Sequence, residues 1–149
     1  MKLVIVGQKG WLSDEIYKLP KKLGIEERVR FLGYVAEKDL PALYSGALAL
    51  TFPSLFEGFG LPILEAMAAG VLVVTTKCAA IPEVGGESVF YFDSTDYHDL
   101  ARQIESVLGL PVEEKKRIAE KAKKRVLQFS WEHAAEKVVS CFKQTISSN

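Results

Sequence analysis

Short apolar runs rich in β-branched residues alternate with stretches of helical spacing, and this alternation constrains the fold more than any other feature. Leu3–Val6 ends at Gly7, Val29–Leu32 at Gly33 and Ala47–Phe52 at Pro53, while Val71–Thr75 and Val89–Phe92 complete the set. Runs this short, bounded by turn residues, read as strands. Between them, residues 12–23 place Leu12, Ile16, Leu19 and Leu23 at helical spacing. Pro20 is expected to kink that helix and Gly24 to cap its end. Short helices are expected over 38–44 and 61–69, the latter ended by Gly70. After the fifth run only helices follow, over 97–108, 112–129 and 131–146, and Ser147-Ser148-Asn149 reads as a frayed tail. Strands apolar on both faces, alternating with helices, predict a Rossmann-like, doubly wound parallel sheet of about five strands with helices on both faces and a C-terminal helical tail. A chain of 149 residues suits one such domain with one core.

Ligands of doubly wound sheets bind at the carboxyl ends of the strands, which directs attention to the loops 7–11, 33–38 and 53–60. Nineteen basic residues balance nineteen acidic ones, so nothing points to a nucleic-acid partner, and any bound anion must be held by local geometry. Cys78 and Cys141 lie far apart and read as reduced thiols of a cytoplasmic protein, with packing as their role. No CxxC pair or His/Cys cluster offers a metal site, and no apolar stretch is long enough to span a bilayer. The run Leu3–Val6 reads as a fully buried strand needing neighbours on both sides. Only Met1 and Lys2 precede it, so the chain is expected to begin inside a larger domain.

The segment from Pro53 to Met67 carries the chemistry. Gly58 and Gly60 permit close backbone approach to a ligand. Pro62 suits a first helical turn, and the helix start offers unpaired N–H groups and a positive dipole end to a phosphate. Glu57 lies in the loop and Glu65 about one turn into the helix, with seven residues between them. Ionised carboxylates accept hydrogen bonds only, so their natural partners are hydroxyl groups. A diphosphate with a hydroxyl-rich group at each end satisfies the whole arrangement: a nucleotide sugar. Gly-Phe-Gly alone is weak evidence, and a glutamate in a first turn often serves the helix dipole; the paired glutamates make the pattern specific.

This stretch resembles the E-x7-E motif of retaining glycosyltransferases of the GT-B fold, family 4, which includes mannosyl- and glucosyltransferases. The similarity continues in order through Leu3-Val-Ile-Val-Gly7, Val29-Arg-Phe-Leu-Gly-Tyr-Val35, Leu40-Pro-Ala-Leu-Tyr44, Pro53-Ser54, Glu65-Ala-Met-Ala-Ala-Gly70, Ile81-Pro-Glu-Val84 and Phe129-Ser-Trp-Glu132. The resemblance implies a donor-binding domain for a nucleotide sugar such as GDP-mannose or UDP-glucose. It assigns Glu57 the catalytic role of orienting the transferred hexose through its hydroxyls, without acting as a covalent nucleophile. Gly58, Phe59, Gly60 and Leu61 would offer backbone N–H groups to sugar and phosphates, and Glu65 would hold the ribose. Gly33, Tyr34 and Val35 would hold the base, and Gly7 would line the floor near the diphosphate. The family needs no bound metal or other cofactor.

The resemblance also implies pieces that this chain does not contain: an Arg and a Lys just upstream of Leu3, the first strand of the domain, and an acceptor-binding domain with its active-site His. His98 and His133 fall in the helical C-terminal part and read as surface residues. The fragment alone is therefore expected to be inactive, within an enzyme that is cytoplasmic and open to peripheral membrane contact. A GT-B epimerase or a glycogen-synthase-like transferase would use the same cleft. A non-catalytic flavodoxin-like binding module would explain the alternation but give Glu57 and Glu65 no role.

Among other features, Lys115, Lys116, Arg117, Lys121, Lys123, Lys124 and Arg125 are interleaved with Glu113, Glu114 and Glu120 and read as a solvated, ion-paired helix face in preference to a lipid-binding one. Ser130 reads as an N-cap, with Trp131 packed inward. Trp11 suits either the cleft or the core, Tyr34 and Phe59 are candidates for stacking, and Phe52 and Phe56 are expected in the core.

Overall fold

The computed structural model describes residues 1–11 and 13–147. Leu12 of the first predicted helix, and Ser148 and Asn149 of the predicted tail, lie outside the described residues. The chain divides into two compact units, 1–42 and 43–149. The five expected strands are all present, hydrogen-bonded as a parallel pair in the first unit and a parallel trio in the second.

In the first unit, β1 (Leu3–Val6) pairs with β2 (Val29–Gly33) in the register Leu3↔Val29 to Val6↔Gly33, slipping by one residue between Ile5 and Val6. Helix α1 (Asp14–Lys22) carries acidic residues in its first turn and basic ones in its last, matching the helix dipole. Pro20 lies in that last turn and the helix runs on to Lys22. Gly24, at φ +66°, closes it: its N–H donates to the Lys21 carbonyl and that of Ile25 to the Pro20 carbonyl, the paired bonds of a left-handed helix terminus. Tyr17 of α1 stacks on Phe31 of β2 with ring centroids 4.4 Å apart. The expectation of a fully buried first strand is corrected here: Leu3, Val4 and Val6 are exposed and Ile5 is half-buried. Its apolar residues make a strand, but with β2 as its one strand neighbour among the described residues they are not enclosed. Trp11 is likewise fully exposed, which removes core packing as its role.

In the second unit, α2 (Leu40–Ser45) follows a 3-10 turn at Glu37–Asp39 and straddles the boundary between the two units. The sheet has the order β3 (Ala49–Phe52), β4 (Leu72–Thr76), β5 (Phe90–Phe92). All five residues of β4 are buried. Side-chain alternation along β4 builds two cores. Val73, with Val71 just before the strand, joins Ile63, Leu64 and Met67 of α3 (Leu61–Ala69), Ile81 and Val84 of α4 (Ile81–Gly85) and Ala122 of α6 (Val112–Val126). Leu72 and Val74 meet Phe92 and Val107, the latter from α5 (Tyr97–Gly109). Helices therefore cover both faces of this sheet, as a doubly wound α/β fold requires. The expected bounds hold within a few residues, but the short helix α4 was not anticipated. Five residues with a proline in the first turn give no periodicity to read.

Several packing expectations are corrected. Helix α7 (Trp131–Ser147) begins with the expected cap, His133 N–H donating to Ser130 Oγ at 3.1 Å. Yet Trp131 stands 82% exposed, because α7 is exposed at every position whose burial is described. Its apolar spacing marks a face without supplying a neighbour. Cys141, on that helix, is exposed for the same reason, whereas Cys78 is half-buried. Phe52 packs on the core, but Phe56 is 83% exposed because it falls in the loop beyond the strand.

Candidate functional site

The carboxyl edge of the three-stranded sheet carries the loop 53–60, and hydroxyl groups from β4 pin it down. Thr75 Oγ1 donates to the Phe52 carbonyl at 2.9 Å and Thr76 Oγ1 to the Ser54 carbonyl at 2.6 Å. The Cys78 thiol reaches the same Ser54 carbonyl at 3.3 Å. Both threonines are buried, so the bonds satisfy groups that would otherwise be costly to enclose. The loop enters α3 through Gly60, buried at φ +91°. A Cβ there would sit 3.3 Å from Ile63 Cδ1, so both conformation and space favour glycine. Pro62 occupies the first turn and Ile63 N–H donates to the Gly60 carbonyl, which leaves the Gly60–Leu61 amides at the positive end of the helix.

Glu57 is half-buried, and its Oε1 accepts the N–H of Gly58 at 3.1 Å, which turns the carboxylate back toward the loop backbone. Phe59 meets Phe129 edge-on at 6.0 Å, and the Arg125 guanidinium lies 5.9 Å from the Phe129 ring. Glu65 is exposed on α3, and its Oε2 accepts a hydrogen bond from the Tyr44 hydroxyl at 2.9 Å. Burial of the half-buried phenol, followed by this bond to Glu65, pushes Tyr44 well above the usual tyrosine range. Tyr44 therefore stays a donor throughout neutral and moderately alkaline conditions.

Of the residues singled out in the sequence, Glu57, Gly58, Phe59, Gly60, Leu61 and Glu65 gather around the start of α3 in the second unit. Gly7, Gly33, Tyr34 and Val35 belong to the first unit. There Gly7 N–H donates to the Gly33 carbonyl at 2.9 Å, both glycines have positive φ, Tyr34 is exposed and Val35 half-buried. Tyr44, Thr75 and Thr76 were missed as parts of the site. Two adjacent threonines at the carboxyl end of a buried strand were an available signal, since such a hydroxyl must find a local acceptor. Tyr44 gave none, because its partner is twenty-one positions away.

Several of the remaining charged side chains are paired on the surface. In α6, Lys116 pairs with Glu113, Arg117 with Glu114 and Lys121 with Glu87, as expected of a solvated face. Arg125 instead turns inward, donating to the Val84 and Glu83 carbonyls at the end of α4. His98 and His133 lie on the surface in the first turns of α5 and α7. Among the described residues, no group of three or more His, Cys, Asp or Glu side chains is placed to hold a metal ion, and no helix is long and apolar enough to cross a membrane.

Known proteins resemble this chain in sequence and in fold. The chain is 36% identical over 142 residues to O-antigen chain mannosyltransferase B of Escherichia coli, covering 95% of this chain and 37% of that protein. It is 32% identical over 134 residues to the MMP alpha-(1->4)-mannosyltransferase of Mycolicibacterium hassiacum, covering 87% of this chain and 32% of that protein. The chain thus spans about a third of the length of these relatives. Among solved structures, the sucrose-phosphate synthase of Thermosynechococcus elongatus superposes with TM-score 0.84 at 26% identity, over 99% of this chain and 39% of that one. HepE of Anabaena, solved in complex with UDP and glucose, superposes with TM-score 0.83 at 26% identity, over 99% of this chain and 41% of that one. The family described as glycosyl transferases group 1 matches residues 1–125, and the chain belongs to that family, with the α/β architecture of GT-B glycosyltransferases.

Proposed function

We propose that this chain supplies the donor-binding part of a retaining glycosyltransferase, in which a hexose of the mannose or glucose type passes from a nucleotide sugar to an acceptor hydroxyl. One observation carries the reading: Glu57 and Glu65 flank the glycine-led start of α3, whose amides and dipole suit a phosphate. Glu57 orients the sugar, the backbone from Gly58 to Leu61 takes the sugar and phosphates, and Glu65 takes the ribose hydroxyls. The leaving diphosphate gains charge as the glycosidic bond breaks, and N–H groups fixed beforehand stabilise it without rearranging. No metal or other cofactor enters this scheme. The mannosyltransferase relatives and the UDP complex of HepE support a nucleotide-sugar donor; the acceptor, a second domain to hold it, and a cytoplasmic, membrane-peripheral setting belong to the longer protein that the relatives' length suggests.

Ligand-observed saturation-transfer NMR of the chain with GDP-mannose, UDP-glucose, UDP-GlcNAc, ADP-glucose and FMN tests this reading. Affinity near millimolar, about −4 kcal/mol, is expected. Saturation of one nucleotide's ribose and base protons, lost in Glu65→Ala, is the expected result. Binding of FMN, or nucleotide binding indifferent to both Glu57→Ala and Glu65→Ala, would sink it.

A further inference from the structure

The Tyr44–Glu65 bond holds an exposed carboxylate to a partly enclosed phenol. The ring of Tyr44 packs on the core cluster that contains Ile63 and Met67, so its hydroxyl is held on a rigid base. The turn after α2 adds a further restraint, Ala47 N–H donating to the Tyr44 carbonyl at 2.9 Å. A surface glutamate normally samples many rotamers and must be ordered when a ligand arrives. Here one oxygen, Oε2, is already engaged by a donor that the shifted phenol never withdraws near neutral pH. Oε1 has no partner among the described residues. A carboxylate accepts on both oxygens, so this geometry leaves it oriented and still able to take hydroxyl protons.

We propose that Tyr44 is a positioning residue that presets the Glu65 carboxylate for the ribose diol of the nucleotide donor. The inference rests on the donor-binding reading above and goes beyond it by naming what fixes the ribose acceptor. Preorganisation favours binding because less side-chain freedom is lost on association. It acts only on ligands that carry the diol. That selectivity separates a positioning role from a merely structural one, since loosened packing around α2 would weaken every nucleotide alike.

The test is an NMR titration of the chain with UDP, GDP and their 2′,3′-dideoxy counterparts, with a thermal melt of each variant. The unsubstituted chain is expected to prefer the better-bound ribonucleotide over its dideoxy form by about tenfold, the scale of a charge-assisted hydrogen bond. Tyr44→Phe is expected to cut that preference about threefold or more through the ribonucleotide alone, leaving the dideoxy affinity unchanged. Equal weakening of both forms, or no change in the ratio while Glu65→Gln abolishes it, overturns the role of Tyr44 and leaves the donor-binding reading intact. No preference in the unsubstituted chain, or a preference that survives Glu65→Gln, overturns both the ribose assignment and this inference. Should Tyr44→Phe fail to fold, Tyr44→Leu serves instead. It removes the hydroxyl while keeping an apolar side chain on the core cluster, and the same loss of preference is expected.

Discussion

Strands β1 and β4 are near twins in sequence and opposites in structure. Leu3-Val-Ile-Val6 and Leu72-Val-Val-Thr-Thr76 are both short, apolar and β-branched. Every residue of β4 is buried, whereas three of the four in β1 are exposed. The difference lies in their neighbours. β4 has a parallel strand on each side and helices on both faces, while among the described residues β1 pairs with β2 alone. Composition selects the extended backbone, and the surrounding elements decide whether its side chains leave water.

The sharpest way to break this comparison is to place a charge near the middle of each strand. Val73 has no exposed surface and lies in an apolar cluster, and Val73→Asp buries a carboxylate there. A loss of about 4 kcal/mol or more is expected, enough to unfold the second unit. Val4, 47% exposed, becomes an aspartate at a cost below about 1 kcal/mol, because its charge stays hydrated. Circular dichroism and chemical denaturation of both variants check the contrast. Equal collapse would mean that β1 is enclosed in solution after all.

A smaller effect is expected where β4 holds the loop of the candidate site. Thr76→Val removes the hydroxyl from the Ser54 carbonyl while keeping the side-chain shape. A loss of about 1–3 kcal/mol is expected, with faster amide exchange across residues 55–60 than across α5. Uniform exchange, or no loss, would show that the Cys78 thiol and the backbone suffice to hold Ser54.

How far the sequence spoke follows the same division. The strand β4 was legible because a run enclosed on both faces is apolar and β-branched almost throughout, and the bounds of α3 were legible because Gly60 and Gly70 both need left-handed backbone. Glu57 and Glu65 were singled out by their spacing and by the motif it resembles, and the structure places the first in the loop and the second in the middle of α3. Burial of Trp131, Phe56 and Leu3 was misread for one reason: an apolar residue in a periodic pattern states a preference for company, and only the fold states whether company is present. Tyr44 was illegible as a site residue because no local rule joins the end of α2 to the middle of α3.

The smallest expected effect concerns the loops that leave the two strands. After β1 the left-handed position falls on Gly7, at φ +138°, where glycine carries no strain. After β4 it falls on Ala79, the one non-glycine residue at positive φ among those described, at φ +43°. A Cβ in that region costs about 1–2 kcal/mol, and Ala79 adjoins Cys78, whose thiol helps hold Ser54. Ala79→Gly relieves that strain but gives the unfolded chain more freedom, an opposing term of about 0.5–1 kcal/mol. The net expectation is a gain below about 1 kcal/mol, read as a small rise in melting temperature. A fall would mean that the strain is already relaxed in solution and that only the entropic term remains. The matched change after β1, Gly7→Ala, must go the other way, because it introduces strain and relieves none. Opposite signs at the two positions would show that positive φ is strained at Ala79 and unstrained at Gly7.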